Sequence, residues 1–360
     1  MKKHSPNQLE KIKFHGRRSK QKPFCMFWHN SGIEMNIKAT ELYVTINCNY
    51  NFYEPWIEYE INGALISHIR LEKGENRICI FRGFDASKVR NIKILRDSQP
   101  FSWNEELVEI TSIETDGELC DVPESKYKFE FYGDSITSGE GLCGALNEYD
   151  FVPMYISSRT SYPRQIANEF GADIQVISQC GWGVVGGWDN NPDCAVPSCF
   201  DTVCGVVRSS EVNGAAAREE YDFDGFKSNA VIINLGTNDN TAFKGDAYKD
   251  DQGNENKITK DNPEDERKFK DAVKKFMSNI RAKNSTAVIV WAVGIMPLDY
   301  AAELIESALS EYIAESHDDN TYYLPLDPMG KDDFGSRGHP GLPAHKQMAE
   351  QIGAFLKEKM

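Results

Sequence analysis

A change of hydrophobic period at Val122-Pro123 constrains this chain more than any other feature. Before it, from Phe24 to about Thr115, apolar and polar residues alternate with period two, as in Ile33-Glu34-Met35-Asn36-Ile37 and Leu42-Tyr43-Val44-Thr45-Ile46. Side chains alternate across the faces of a strand, so the pattern predicts half-buried β-strands. Asn62-Gly63, between Ile57-Glu58-Tyr59-Glu60-Ile61 and Ala64-Leu65-Ile66, suits a two-residue hairpin, because both residues tolerate positive φ. Gly74-Glu75-Asn76 and Asp116-Gly117 mark further turns. Short strands at this spacing, without helices between them, predict an antiparallel β-sandwich of the jelly-roll kind.

After Pro123, short apolar runs alternate with amphipathic stretches. The runs are Phe129 to Tyr132, Ile174 to Ile177, Val231 to Leu235, Val288 to Val293 and Tyr322 to Leu324. Between the third and fourth, Asn262 and Pro263 open a helix whose apolar stripe is Phe269, Val273, Phe276 and Ile280; another follows Pro343, with Met348, Ile352 and Phe355 on one face. Strands alternating with helices predict an α/β domain with a parallel sheet covered on both faces. The expected organisation is a basic tail over 1–22, a β-sandwich over 23–122 and the α/β domain over 123–360, since 360 residues suffice for two cores. Two loop-like stretches, 188–226 and 240–262, interrupt the second domain.

Charge and cysteine usage narrow the function. A net charge of -15 repels nucleic-acid backbones and anionic membranes, so neutral substrates fit better. The first 22 residues carry eight Lys or Arg against Glu10, without an apolar run of signal-peptide character, and read as a solvated tail. No segment has the roughly 18 apolar residues a membrane span needs. Nine cysteines, an odd number set partly in apolar strands, suit reduced thiols and a cytoplasmic protein. The spacing of Cys194, Cys199 and Cys204 matches no common zinc pattern, and no metal is expected.

Open parallel sheets bind ligands at the carboxyl ends of their strands, so the residues just after each apolar run carry most information. Gly133-Asp134-Ser135 follows the first run and permits a sharp strand-to-helix turn that exposes a hydroxyl, although the tripeptide alone also serves as a helix cap. Ser178-Gln179-Cys180-Gly181-Trp182-Gly183 follows the second, where glycine lets a backbone N–H approach a substrate or simply makes a tight turn. Gly236-Thr237-Asn238-Asp239 follows the third and offers a side-chain amide, a neutral donor for an oxyanion or else a turn residue. Gly338-His339-Pro340 precedes the last helix; a lone His is more often structural. Together the four positions converge on one cleft.

In this order the blocks resemble the SGNH, or GDSL-type, hydrolases, whose named residues are Ser, Gly, Asn and His. The resemblance makes Ser135 the nucleophile, His339 its base, and Ser135, Gly183 and Asn238 the oxyanion donors, with Gly181 as the alternative glycine. Trp28-His29-Asn30-Ser31-Gly32-Ile33-Glu34, the Asn62-Gly63 hairpin, Thr115-Asp116-Gly117, Glu130-Phe131-Tyr132-Gly133-Asp134-Ser135 and Gly181-Trp182-Gly183-Val184-Val185 look like carbohydrate esterase family 2. That family implies a jelly-roll sandwich before a flavodoxin-like α/β/α SGNH domain, no cofactor, and removal of acetyl groups from carbohydrate such as acetylated xylo- or manno-oligosaccharides.

One position departs from the wider pattern. Most SGNH enzymes carry Asp three residues before the catalytic His; here that residue is Ser336. The resemblance then implies a Ser–His dyad in which the backbone carbonyl of Arg337 orients His339; a triad completed by Asp332 or Asp333, reaching back from the loop, is the alternative. Trp182 and Trp188 flank the second block and offer faces to a pyranose, buried packing being the alternative for Trp182. Two other functions share these blocks: an esterase for lipid or thioester substrates, and a glycan-binding protein with a silent site.

Overall fold

The computed structural model describes residues 1–20, 24–207 and 212–360. The end of the basic segment at 21–22, residue 23, and positions 208–211 of the first long loop lie outside the described residues. Two units make up the chain: one holds 1–125, 152–159 and 201–221, the other 126–151, 160–200 and 222–360.

Among its described residues the first unit contains ten strands: β1 Lys2–His4, β2 Lys13–His15, β3 Gly32–Lys38, β4 Glu41–Asn49, β5 Trp56–Ile61, β6 Ala64–Arg70, β7 Gly74–Arg82, β8 Arg90–Arg96, β9 Leu107–Thr115 and β10 Glu118–Cys120. They form two antiparallel sheets, ordered β1-β9-β4-β7 and β10-β3-β8-β5-β6, with β2 on β3. The period-two residues of both sheets meet in one core, including Met35, Val44, Ile46, Ile57, Ile94 and Ile110. Asn62 and Gly63 both take positive φ and close the β5–β6 hairpin, as their chemistry predicts.

The reading of the basic segment as a solvated tail is corrected. β1 pairs with β9 and β2 with β3, while Ile12 is buried and Leu9 and Phe14 pack on the core. Arg17 is buried too, donating to Thr202 O at 2.9 Å and stacking 4.2 Å over the Tyr221 ring. The abundant charges hid a short alternation, Ile12-Lys13-Phe14, whose apolar members face inward. The first unit also takes in two segments from beyond Pro123. Asp97 receives the backbone N–H groups of Ser158 and Arg159, and Trp28 Nε1 donates to Val203 O at 2.8 Å. A helix, α3 Val212–Ala217, lies in the second of these segments; other helices are numbered with it in chain order.

In the second unit, β11 Tyr127–Gly133, β12 Ala172–Ser178, β13 Ala230–Asn234, β16 Val288–Val293 and β17 Thr321–Pro325 form a parallel sheet ordered β12-β11-β13-β16-β17. A two-stranded hairpin, β14 Tyr248–Lys249 with β15 Glu255–Asn256, occupies the 240–262 stretch. The helices are α1 Ser135–Ser138, α2 Tyr162–Phe170, α4 Thr237–Ala242, α5 Pro263–Lys283, α6 Tyr300–Ser316 and α7 Leu342–Lys359. Asn262 caps α5 by accepting from Glu264 N, and acids fill its first turn. One sheet face, with Phe129, Phe131 and Val290, packs on α2 and α7 through Ile166, Met348 and Ile352. Tyr132 and Trp291 point the other way, onto Phe276 of α5. Both faces are therefore dry, and the sheet's function is confined to its ends.

Strand order reverses at β11, whose neighbours are β12 on one side and β13 on the other. Gly133 pairs with Ser178 and with Asn234, so the three loops that follow emerge side by side. Because Ile12 belongs to the sandwich core, Ile12→Ala should lower unfolding free energy by about 2–3 kcal/mol in urea titration; a change within about 0.5 kcal/mol would restore the solvated-tail reading.

Candidate active site

The turn after β11 is built for exposure of one hydroxyl. A Cβ at Gly133 would overlap the Thr137 side chain, so only glycine lets the chain turn there. Asp134 caps α1, its Oδ1 accepting from Ile136 N at 3.0 Å, and Gly139 closes the helix at φ +80. Ser135 is the first helical residue, its backbone N–H aimed out of the helix start.

His339 comes from the loop before α7, and its Nε2 lies 2.9 Å from Ser135 Oγ. Its Nδ1 lies 3.2 Å from the carbonyl oxygen of Arg337. A carbonyl only accepts, so Nδ1 carries the hydrogen and Nε2 presents its lone pair to the Ser135 hydroxyl. Arg337 holds φ at +59, a conformation that costs a residue with a Cβ about 1–2 kcal/mol. Several bonds offset that cost. Arg337 N donates to Glu148 O at 2.8 Å, its Nη1 to Tyr149 O, and its Nε to Glu140 Oε1 at 2.5 Å; its guanidinium also lies 5.1 Å from the Phe151 ring centre. Ser336 is used structurally, its hydroxyl donating to Cys143 O at 3.0 Å. Asp333 accepts from Gly330 N, and Asp332 is exposed, so neither reaches His339 as the loop reading allowed.

Asn238 stands on α4, after β13, and its Nδ2 donates to Trp182 O at 2.9 Å and, more weakly, to Asp134 Oδ2 at 3.3 Å. Asp134 is fully enclosed; burial, then repulsion from Asp239 and Glu140, push its carboxyl up to about 7 against the Ile136 N–H. Asp239 accepts from Val184 N at 2.9 Å and Val185 N at 3.1 Å, yet burial still raises it to about 6.

The structure corrects the glycine and one tryptophan. Gly183 directs its N–H into its own loop, to Gly186 O at 2.7 Å and Cys194 O at 3.2 Å, and is not free to meet an oxyanion. What requires glycine there is space, since a Cβ would overlap the Asp239 carboxylate. Gly181, at φ +79, is the glycine whose N–H meets no acceptor among the described residues. The Trp182 ring is 2% exposed and offers no face to a sugar; its contribution is the carbonyl that holds Asn238. Trp188 is 57% exposed, its Cδ1 3.1 Å from where a Gly181 Cβ would stand. With Asp189, Thr241, Asp246, Tyr248 and Lys249 it lines a cleft of about 420 Å³. Asn190 fastens the two cleft loops, donating to Ala242 O and Asp246 O at 2.9 Å and accepting from Ile258 N at 3.0 Å.

Sequence reasoning gave no role to Glu140 or Asp239. Asp239 follows Asn238 directly and had a signal, as a second polar residue at a strand end. Glu140 had one too, a charge within the otherwise small and uncharged run Ser138 to Gly141. Among the described residues, no group of three His, Cys, Asp or Glu has the arrangement of a metal site, and no helix is long and apolar enough to cross a membrane.

Known proteins share this architecture. The model of the GDSL-like lipase/acylhydrolase family matches residues 131–346. An acetyl xylan esterase from the rumen bacterium Butyrivibrio proteoclasticus superposes with a TM-score of 0.96 at 32% identity, over 100% of this chain and 99% of that one. A family-two carbohydrate esterase from Clostridium thermocellum, solved with cellohexaose, superposes with a TM-score of 0.81 at 23% identity over 97% and 98%, a likeness of fold. Among curated proteins, a cellulase/esterase of Acetivibrio thermocellus is 26% identical over 94% of this chain, which spans 38% of that relative's length. An acetylxylan esterase/glucomannan deacetylase of Cellvibrio japonicus is 22% identical, covering 85% and 76%.

If Gly183 is retained for the space it leaves Asp239, Gly183→Ala should cost about 1–3 kcal/mol in a denaturant titration. An unchanged midpoint would contradict that role.

Proposed function

The chain belongs to the GDSL-like lipase/acylhydrolase family and is built as a family-two carbohydrate esterase, and on that premise we propose that it is a serine carboxylic-ester hydrolase removing acetyl groups from carbohydrate. Its substrates on this reading are acetylated xylo- or manno-oligosaccharides. The observation that carries the proposal is the 2.9 Å contact of Ser135 Oγ with a His339 ring whose far nitrogen is engaged by the Arg337 carbonyl.

The chemistry is acyl transfer through a Ser–His dyad. Ser135 Oγ bonds to the acetyl carbon while its proton passes to His339 Nε2, and the tetrahedral oxyanion forms. We assign its stabilisation to the backbone N–H groups of Ser135 and Gly181 and to the Asn238 amide, whose longer bond to Asp134 is the one exchanged for the oxyanion. The carbon–oxygen bond to the sugar then breaks as His339 returns the proton to the leaving oxygen. Water, deprotonated by His339, attacks acetyl-Ser135; the Oγ–acyl bond then breaks as His339 returns the proton to Ser135 Oγ, and acetate leaves.

The cleft beside Gly181, whose lining does not include Ser135 or His339, is where we place the neutral glycan that carries the acetyl group. Trp188 and Tyr248 supply aromatic faces for pyranose rings, while Asp189 and Asp246 on its walls disfavour acidic sugars. The -15 net charge argues likewise against nucleic acids or anionic membranes as partners, and the nine cysteines favour a reducing, cytoplasmic setting.

Acetate release from acetylated oligosaccharides, followed by NMR, tests the proposal. Ser135→Ala should be inactive; Asn238→Ala should lose on the order of 10²-fold in kcat, and Trp188→Ala should act mainly by raising KM. Retained activity in Ser135→Ala would refute the nucleophile. A preference for octanoyl over acetyl esters would replace the carbohydrate reading by a lipid one.

A further inference from the structure

Glu140 lies five residues past Ser135, just beyond the end of α1, and is 2% exposed. Its Oε1 accepts from Arg337 Nε at 2.5 Å, and its Oε2 stands 3.5 Å from His339 Nε2. The second separation is long for a hydrogen bond but well within the range of a strong Coulombic interaction. The Cys180 thiol contacts the same carboxylate. A carboxylate withdrawn from water is retained only with such compensation.

The reaction creates a need for that charge. When His339 takes the Ser135 proton it becomes an imidazolium whose Nδ1–H, among the described residues, faces the neutral Arg337 carbonyl. Three residues before it stands Ser336, whose hydroxyl is turned to Cys143 O. The guanidinium of Arg337, on the same side chain that anchors the carbonyl, would oppose the imidazolium unless its own charge were balanced.

We propose that Glu140 is a positioning residue that takes over the duty of the missing loop carboxylate: it balances the His339 imidazolium from the Nε2 side and, through Arg337, fixes the carbonyl that orients the ring. This rests on Ser135 and His339 being the acyl-transfer centre. The other titratable groups facing this cluster are Asp134 before α1, Cys180 after β12, Arg337 of the His339 loop and His345 of α7. Burial holds His345 neutral, down at about 3, and pushes the Cys180 thiol well up, so neither changes charge in the working range. Asp134 is raised to about 7 by burial and partly by Glu140, so Glu140→Gln lowers it as well; Arg337→Ala, which leaves Glu140 in place, is the comparison that separates the His339 effect from Asp134.

The test is steady-state kinetics of the full chain across pH, on p-nitrophenyl acetate and on acetylated xylo-oligosaccharide. Glu140→Gln, nearly isosteric, should lower kcat about tenfold or more with KM little changed, and move the acid limb of kcat/KM to lower pH by about one unit. Arg337→Ala keeps the backbone carbonyl but removes a cation from beside the ring; its acid limb should move the opposite way, and it serves also if Glu140→Gln fails to fold. Glu140→Asp should recover part of the lost kcat. Falls in kcat without movement of either limb, or a Glu140→Gln enzyme with the parent's kcat and limb, would overturn the inference while an inactive Ser135→Ala left the esterase reading standing. An active Ser135→Ala would remove that reading itself.

Discussion

The hydrogen bond between His339 Nδ1 and the Arg337 carbonyl is the contact on which the geometry of the site depends. It fixes the tautomer, and the tautomer decides which nitrogen can accept from Ser135. A backbone carbonyl can do this only if the backbone itself is held, and Arg337 is held in a conformation that residues with a Cβ avoid. The bonds to Glu148, Tyr149 and Glu140 make the loop before α7 and the loop after α1 a single assembly. Ser135 and His339 thus reach each other through neighbouring main chain, although they are 204 positions apart in sequence.

Beneath that pair lies the reversal of strand order at β11. It sets the loops that follow β12 and β13 on either side of the β11–α1 turn. Two buried carboxyls then arrange the donors around it. Asp239 gathers the N–H groups of Val184 and Val185 and so shapes the loop carrying Gly181, while Asp134 both caps α1 and touches Asn238. Burial raises both acids towards neutrality, which weakens Asp134's hold on the Asn238 amide.

Much of this was legible before any coordinates. Parallel strands buried on both faces leave their chemistry at their ends, so the residues after Tyr132, Ile177 and Leu235 stood out by position. The β-sandwich was legible because a period of two survives in the residues that line its core. What the sequence hid depended on contacts between distant segments. Which glycine presents its N–H is set by Gly181's positive φ and by bonds within the 183–194 loop, and no local pattern records those. Trp182 and Trp188 look alike in sequence, yet one is enclosed and the other lies open beside a hairpin contributed from residue 248 onward. The charges on Lys11 and Lys13 masked Ile12 and Phe14, and 152–159 and 201–221 carry no mark of their membership in the first unit.

The central claim is that Ser135 becomes acylated. Rapid-quench mass spectrometry of the enzyme during turnover of an acetyl ester, with peptide mapping, measures this directly. A Ser135 nucleophile predicts a single transient acetyl group on the peptide containing that residue, its amount set by the relative rates of acylation and hydrolysis. Turnover with the acetyl group on a different residue would contradict it.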